Sequence, residues 1–233
     1  MYRILFAIIF VLGCSSAALA STITFIGDGT STGGDSENAS ATIVTGAGTI
    51  NVTLNNLLSN PTDVAQNLSD LFLTLSNGST IGTLTSSSGT ELTVNSNGTY
   101  SVGSSVSTGW ALTSSGGSLL LELIGASAAP SHTIIGTSSN GTYSGGTYSN
   151  ANGSIAGNGP HNAFLESGAT FTLSVPSVTA ATTITAATFS FGTAAGNTLV
   201  GTASTVPEPI TMVLVGAGLL AMGRFGMKRR PKG

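Results

Sequence analysis

Gly29-Thr30-Ser31-Thr32-Gly33 has the spacing of a nucleophile elbow, in which a serine on a sharp strand-to-helix turn is activated by a histidine and an acid. A strand-like run precedes it, but the "GDSENAS" that follows has no helical periodicity, and a chain this rich in Gly and Ser produces such a match by chance. No catalytic residue is assigned. His132 and His161 are the only histidines, too few for a metal site built on imidazole, and the single cysteine, Cys14, lies outside the body of the chain. Either histidine could meet Glu166 or another carboxylate in space; His161, in the turn-rich "GNGPHNAF", reads as a loop residue whose ring bonds nearby backbone. Asp28, Asp35 and Glu37 cluster in a Gly-rich stretch and are the candidates for a cation, because calcium collects several oxygen ligands. Their spacing is not that of an EF-hand and no Gly-Asp nonapeptide repeats. Solvated loop charges are therefore the plainer reading, and no metal or cofactor is expected. No pair among the acids is singled out for glycoside hydrolysis. Trp110, Tyr100, Tyr143 and Tyr148 offer rings on which a sugar could stack, although one Trp in such a body is more often core.

The elements that would position these groups are short β-branched runs separated by Gly, Asn and Ser. They are 22–26, 40–44, 49–54, 71–76, 80–85, 91–95, 99–102, 118–123, 132–136, 169–175 and 183–192. Phe171, Leu173 and Val175 alternate with Thr170, Thr172 and Ser174, so one face is apolar and the other polar; Phe189 and Phe191 repeat the spacing. Asn-Gly at 77–78, 97–98, 140–141 and 152–153 supplies the positive backbone angles that tight turns need. The expected fold is all-β, an antiparallel β-sandwich of jelly-roll type. Only 60–70 carries a helical signal, one or two turns capped by Thr62, with Val64, Ala65 and Leu68 inward; an irregular connection is its alternative. Charged residues are only 6% and mean hydropathy is +0.37, which argues for burial rather than disorder.

All six Lys and Arg (Arg3, Arg224, Lys228, Arg229, Arg230 and Lys232) lie at the two ends. Residues 21–205 hold eight carboxylates and no strong cation, a formal charge of −8 with both His neutral. Binding nucleic acid requires Lys and Arg to displace counterions, so that partner is excluded for the body, and anionic substrates are disfavoured. Seven Asn-X-Ser/Thr sites, beginning with Asn38 and Asn51, need no glycan to explain them in so Asn- and Thr-rich a chain.

The ends carry addresses. Residues 1–20 show one basic residue, an apolar run from Ile4 to Leu12, and Ala18-Leu19-Ala20, the layout of a secretory signal peptide cleaved between Ala20 and Ser21. Val11-Leu12-Gly13-Cys14 is the alternative, a lipoprotein box with Cys14 lipidated, but Leu12 is bulky where that motif has a small residue. At the other end, 206–233, Val206-Pro207-Glu208-Pro209 must be extended, since both prolines disfavour helix at the residue before them. Ile210 to Gly223 then forms an apolar helix reaching about 21 Å at 1.5 Å per residue, short of a hydrocarbon layer about 30 Å thick. Arg224, Lys228, Arg229, Arg230 and Lys232 make a basic stop on the cytoplasmic side. Both ends place residues 21–205 outside the cytoplasm. A motif, a marginal span and a basic stop suit brief retention followed by processing.

In this order of parts, "VPEPITMVLVGAGLLAMGRFGMKRR" resembles a PEP-CTERM sorting domain. The resemblance implies recognition by an exosortase, a multi-pass membrane cysteine protease of exopolysaccharide-producing Gram-negative bacteria, with Pro207, Glu208 and Pro209 as the recognition motif. It implies a precursor held transiently in the inner membrane, then delivery to the cell surface or extracellular matrix. Residues 158–193 are similar to segments of exosortase-dependent surface proteins without an assigned activity. The expected function is a non-enzymatic surface or matrix protein associated with exopolysaccharide and biofilm. A carbohydrate-binding or adhesive module is the second reading and a secreted hydrolase the third. Trypsin should find no site between Arg3 and Arg224 even in denatured protein; an intact-mass spectrum should show one large body fragment, and a tryptic ladder would contradict the charge layout.

Overall fold

The computed structural model describes residues 20–125, 130–157 and 159–204. The expected leader and tail, with Cys14, Ala18, the Val206–Pro209 motif, the apolar span and the basic stop, lie outside them. Ala20 is exposed, and Ser21 is the first residue of the first strand, so cleavage between the two would leave that strand whole.

Thirteen strands form one hydrogen-bonded sheet among these residues, and the protein is all-β as its composition implies. β1 (Ser21–Thr30), β2 (Ser36–Gly46) and β3 (Thr49–Asn56) make an antiparallel meander. β3 pairs with β10 (Phe164–Ser174), whose other edge carries β5 (Thr83–Val94) and then β6 (Tyr100–Val106). A second run joins β11 (Ile184–Phe191) to β4 (Leu68–Leu75), β8 (Ser118–Glu122) and β7 (Ala111–Ser115). Two short segments join the runs. β9 (Ile134–Ile135) pairs in parallel with β10 and meets β4 at Leu68. β12 (Thr198–Val200) and β13 (Thr202–Ser204), separated by Gly201 alone, pair with β11 and β1 respectively. The sheet path therefore begins and ends on one continuous stretch of chain.

Alternation builds the core. β2 and β3 bury every second residue, including Ala39, Ala41, Ile43, Ile50, Val52 and Leu54. These meet Phe171 and Leu173 of β10, Leu71 and Leu73 of β4, and Phe189 and Phe191 of β11 in a single cluster. Each Leu or Phe fully removed from water contributes about 1.5–3 kcal/mol, the main stabilisation available without disulfides. The buried face expected for Phe171, Leu173 and Val175 is observed. At the β9 corner the amide of Asn56, itself buried, donates to Ile134 O (3.0 Å) and Gln66 O (2.9 Å), satisfying backbone where β3 gives way to β9.

Turn chemistry differs in detail from the reading of the sequence. Gly78, Gly98 and Gly141 have positive φ as expected, whereas Asn152-Gly153 falls in a π-helical turn (Ala151–Ile155). Asn77, Asn97 and Asn140 each accept, through Oδ1, the backbone N–H two residues on at 3.1 Å. Their Asn-Gly-Ser/Thr pattern is thus an Asx turn followed by a left-handed glycine, which accounts for three of the Asn-X-Ser/Thr sites. Residues 60–70 hold only a 3-10 turn (Val64–Gln66), and its cap is Asp63 instead of Thr62: Asp63 Oδ1 accepts from Ala65 N (2.8 Å) and Gln66 Oε1 from Asp63 N (3.2 Å). This capping box closes a single turn, after which Asn67 is extended and Leu68 already belongs to β4. No helix among the described residues is long and apolar enough to cross a membrane.

Closure of the path at Gly201 rests on Phe189. A Cβ on Gly27 would lie 2.8 Å from the Phe189 ring, and one on Gly201 2.9 Å from it and 3.1 Å from Phe25 Cβ. The ring is buried between two strands that approach closely only because both residues are glycine. Gly201→Val should cost about 1–3 kcal/mol in urea unfolding through overpacking, while Gly159→Ala, where a Cβ meets nothing within 4 Å, should stay within about 0.5 kcal/mol of the parent.

Candidate functional site

Ser31 lies in a strand–turn–strand, since β2 starts at Ser36, and no helix follows it as an elbow requires. The residue is buried and its Oγ donates to Asp35 O at 3.3 Å, with no histidine among its partners. His132 faces Glu91, not Glu166: Nε2 is 2.9 Å from Glu91 Oε1, while Nδ1 faces Thr108 O at 3.2 Å. Its backbone N–H donates to Ala163 O (2.8 Å) and its carbonyl accepts from Trp110 Nε1 (3.2 Å). His132 thus ties β5, the 108–110 loop and the approach to β9 together. No Lys or Arg lies among the described residues, and this histidine–carboxylate contact is the one His-to-acid side-chain pairing found there. His161 sets Nδ1 2.7 Å from Pro130 O, the backbone contact expected of it.

The aromatic residues turn inward. Trp110 packs on Phe171 with ring centroids 5.1 Å apart. Tyr148 is buried, stands edge-on to Tyr100 at 5.5 Å, and donates its hydroxyl to Gly136 O (2.8 Å). Tyr143 and Tyr100 donate to Ile135 O (3.0 Å) and Gly145 O (2.9 Å). Burial pushes the Tyr143 and Tyr148 hydroxyls above the usual phenol range, so they act as fixed donors. The four rings do not form one sugar-stacking face: Trp110 belongs to the main core cluster, while buried Tyr148 with the partly buried Tyr100 and Tyr143 pins the 135–148 loop to the second, smaller cluster.

Two open grooves of similar size lie on the surface of the described residues, the first mainly polar and the second mainly apolar. A groove of about 360 Å³ runs beside a bulge in β10 and presents Thr53, Asn55, Ser88, Thr90, Ser105 and Glu166. Glu166 is partly buried, and that burial raises its pKa. The other cavity, about 370 Å³, lies where the β1–β2 turn, the Asp63 capping box and the 192–197 segment converge, with Asp35, Asp63 and Asn197 in its wall.

The three acids 28, 35 and 37 separate by strand geometry. Asp28 pairs with Asn38 on β1 and its side chain is exposed on the outer face. Glu37 points inward in line with Ala39 and Ala41, has no exposed surface, and neither carboxylate oxygen reaches hydrogen-bonding geometry with a donor. Burial, reinforced by Asp35 and eased in part by the Asn197 side chain, pushes its pKa up to about 8. Asp70 is the other buried acid. Burial raises it too, against the N–H groups of Leu123 (2.9 Å) and Ile124 (3.2 Å), which it caps at the end of β8. Among the described residues no three Asp, Glu, His or Cys side chains come close enough to hold a metal as a group. The roles of Asn197 and of the Glu91–His132 pair had no sequence signal, because their partners are remote in the chain.

The family model for the PEP-CTERM protein-sorting motif matches residues 205–230. No curated protein and no solved structure matches the chain. The chain therefore carries a PEP-CTERM sorting motif at its C-terminal end, which marks exosortase-dependent sorting through the membrane to the surface.

Because the folded pKa of Glu37 lies above the unfolded value of 4.5, the native state holds the extra proton between about pH 4.5 and 8. Its contribution is complete below 4.5 and lost as pH rises through 8. Urea melts should show stability falling across this window by about 5 kcal/mol from this group. Glu37→Gln should flatten the slope and leave the variant more stable than the parent at pH 8; an unchanged slope would contradict the assignment.

Proposed function

We propose that the protein is an exported, non-enzymatic component of the cell surface or extracellular matrix of a Gram-negative bacterium, delivered by an exosortase and associated with exopolysaccharide in biofilm. The observation that carries this reading is the matched tail, 205–230, in which the Pro-Glu-Pro, apolar and basic parts follow in that order. In this reading the signal peptide ends at Ala20, the apolar stretch holds a precursor in the inner membrane, and the extended Pro-Glu-Pro is presented outside for processing. The body is read as an antiparallel sandwich of jelly-roll type. Ser31 bonded to backbone, inward-facing rings and a histidine tied on both nitrogens support a structural role over a hydrolytic one.

A carbohydrate-binding role is the second reading, and the groove at Glu166 favours it. Hydroxyls, an amide and one carboxylate match the hydroxyls of a neutral saccharide, with no cation to draw an acidic polymer.

Replacing Pro207, Glu208 and Pro209 together by Ala should leave the tail attached and the protein in the inner membrane, as read by fractionation and intact mass. Release of the body at the parental rate would overturn the sorting mechanism. Pull-down with purified exopolysaccharide distinguishes the second reading, which requires that Glu166→Gln lower retention by at least several-fold.

A further inference from the structure

The outer face of the β1–β3 meander and of the strands beyond it carries a row of hydroxyls. Register places Ser204, Thr24, Thr42, Thr53, Thr170 and Ser88 opposite one another in turn, on β13, β1, β2, β3, β10 and β5. Each of these neighbouring strands contributes one Ser or Thr. The residues one position along, Phe25, Ala41, Leu54 and Ala169, form a buried row, which fixes the hydroxyl row to the solvent side. A second outward row runs two residues away through Thr22, Val44, Asn51, Thr172 and Ser86. Neither row contains an ionisable side chain.

Lateral bonds hold these groups in place. Thr24 and Thr42 Oγ1 are 3.0 Å apart, Ser88 and Ser105 Oγ are 2.7 Å apart, and Thr172 Oγ1 donates to Asn51 Oδ1 at 3.1 Å. Thr53 and Thr170 stand exposed at the centre of the row, and with Ser88 they line the groove at Glu166. Strands lie about 4.8 Å apart, so the row offers one hydroxyl per step over about 24 Å. That step is close to the length of one pyranose unit in an extended chain. Sheets turn about 20–25° per strand, so the row rotates through about 100° from end to end. A planar crystalline surface cannot follow this turn, whereas a single flexible chain can. The rows hold no charge to pair with an ionic polymer, and Asp28 and Glu166, which flank them on one side, repel an acidic one.

We propose that this row binds a single extended chain of an uncharged polysaccharide, laid across the strands with about one sugar per strand. The inference rests on the carbohydrate-binding reading and sharpens it: Thr53 and Thr170 are the centre of the path, and Glu166 marks one side of it. Each Thr hydroxyl exchanges hydrogen bonds with a sugar hydroxyl, and its methyl packs against the C–H edge of the ring. One such exchange gains little over water, so affinity accumulates by repetition along one chain. The groove alone would favour a mono- or disaccharide. The row favours length.

The test uses the purified full chain in a polyoxyethylene detergent, run by affinity electrophoresis through native gels containing soluble mixed-linkage β-glucan or, as its charged counterpart, carboxymethylcellulose. The β-glucan should retard the protein and carboxymethylcellulose should not. As competitors, cello-oligosaccharides should gain at least about tenfold in affinity from disaccharide to hexasaccharide. Thr53→Val and Thr170→Val together, which keep β-branching, should weaken retardation at least about fivefold, while Thr185→Val on β11 leaves it at the parental value. Equal competition by disaccharide and hexasaccharide would overturn the row and leave a groove for a single short sugar. Parental retardation of the Thr53 and Thr170 double variant, alongside weakened retardation of Glu166→Gln, would overturn it in the same way. Absence of retardation by β-glucan overturns the row, and the carbohydrate-binding reading falls with it only if the exopolysaccharide pull-down also fails. The length series needs no variant, so it decides even if the double variant fails to fold.

Discussion

The fold depends on a close approach at Phe189. One continuous stretch, Thr198 to Ser204, must pair with β11 on one side of Gly201 and with β1 on the other, and it can do so only if the backbones close over the Phe189 ring. Glycines at 27 and 201 permit this, and Gly201 N donates to Ala187 O (2.9 Å) at the crossing. Once the crossing forms, β1 has partners on both edges, β11 is bracketed by β4 and β12, and neither presents an open ladder to another chain. The loop cluster around Glu37 follows directly, because the 192–197 segment that feeds the crossing must lie against the β1–β2 turn.

The second constraint is the absence of cations. Polar burial usually draws on Lys and Arg; here it is met by amides, hydroxyls and backbone. Asn56 satisfies two carbonyls at the β9 corner, the buried Asn67 amide reaches Thr133 Oγ1 (3.2 Å), and Thr45 Oγ1 donates to Thr182 O (2.9 Å). Tyrosine hydroxyls do the same for the long 135–148 loop. These neutral partners do not reach everywhere: Asn38 Oδ1, Asn67 Oδ1 and both Glu37 carboxyl oxygens are buried without a partner in hydrogen-bonding geometry, and burial pushes the Glu37 pKa up to about 8.

What was legible in the sequence follows from range. Alternation is local, so the runs at 22–26, 40–44, 49–54, 118–123 and 169–175 correspond to strands, and the inward set Phe171, Leu173 and Val175 could be read directly. The two runs at 80–85 and 91–95 proved parts of β5, because register shifts in its pairing with β10 let a polar Ser-rich stretch continue one strand. β7, β12 and β13 were illegible: short, polar or Gly-flanked, they are strands only because a partner edge lies beside them. The same holds at the candidate sites. Asp28 and Glu37 look adjacent in sequence, but strand geometry sends them to opposite faces, and Glu37 acquires Asn197 from the far end of the body.

The outer faces explain how such a body remains hydrated with so little charge. Hydroxyls pair across strands, as in Thr24–Thr42 (3.0 Å), Ser88–Ser105 (2.7 Å) and Thr172 to Asn51 (3.1 Å), so side-chain oxygens are shared between neighbours and water. β6 shows the consequence at an edge: it carries no Lys or Pro guard, yet it is short and its pairing with β5 is broken by a register shift between Thr90 and Leu92. A surface of hydroxyls and amides with a charge of −8 in the body and no cation cannot attract an acidic polymer by counter-charge. Contact with a polysaccharide would have to run through hydroxyl and amide hydrogen bonds or through a bridging divalent ion. The chemistry that keeps the body soluble therefore also narrows the means by which it could engage a matrix.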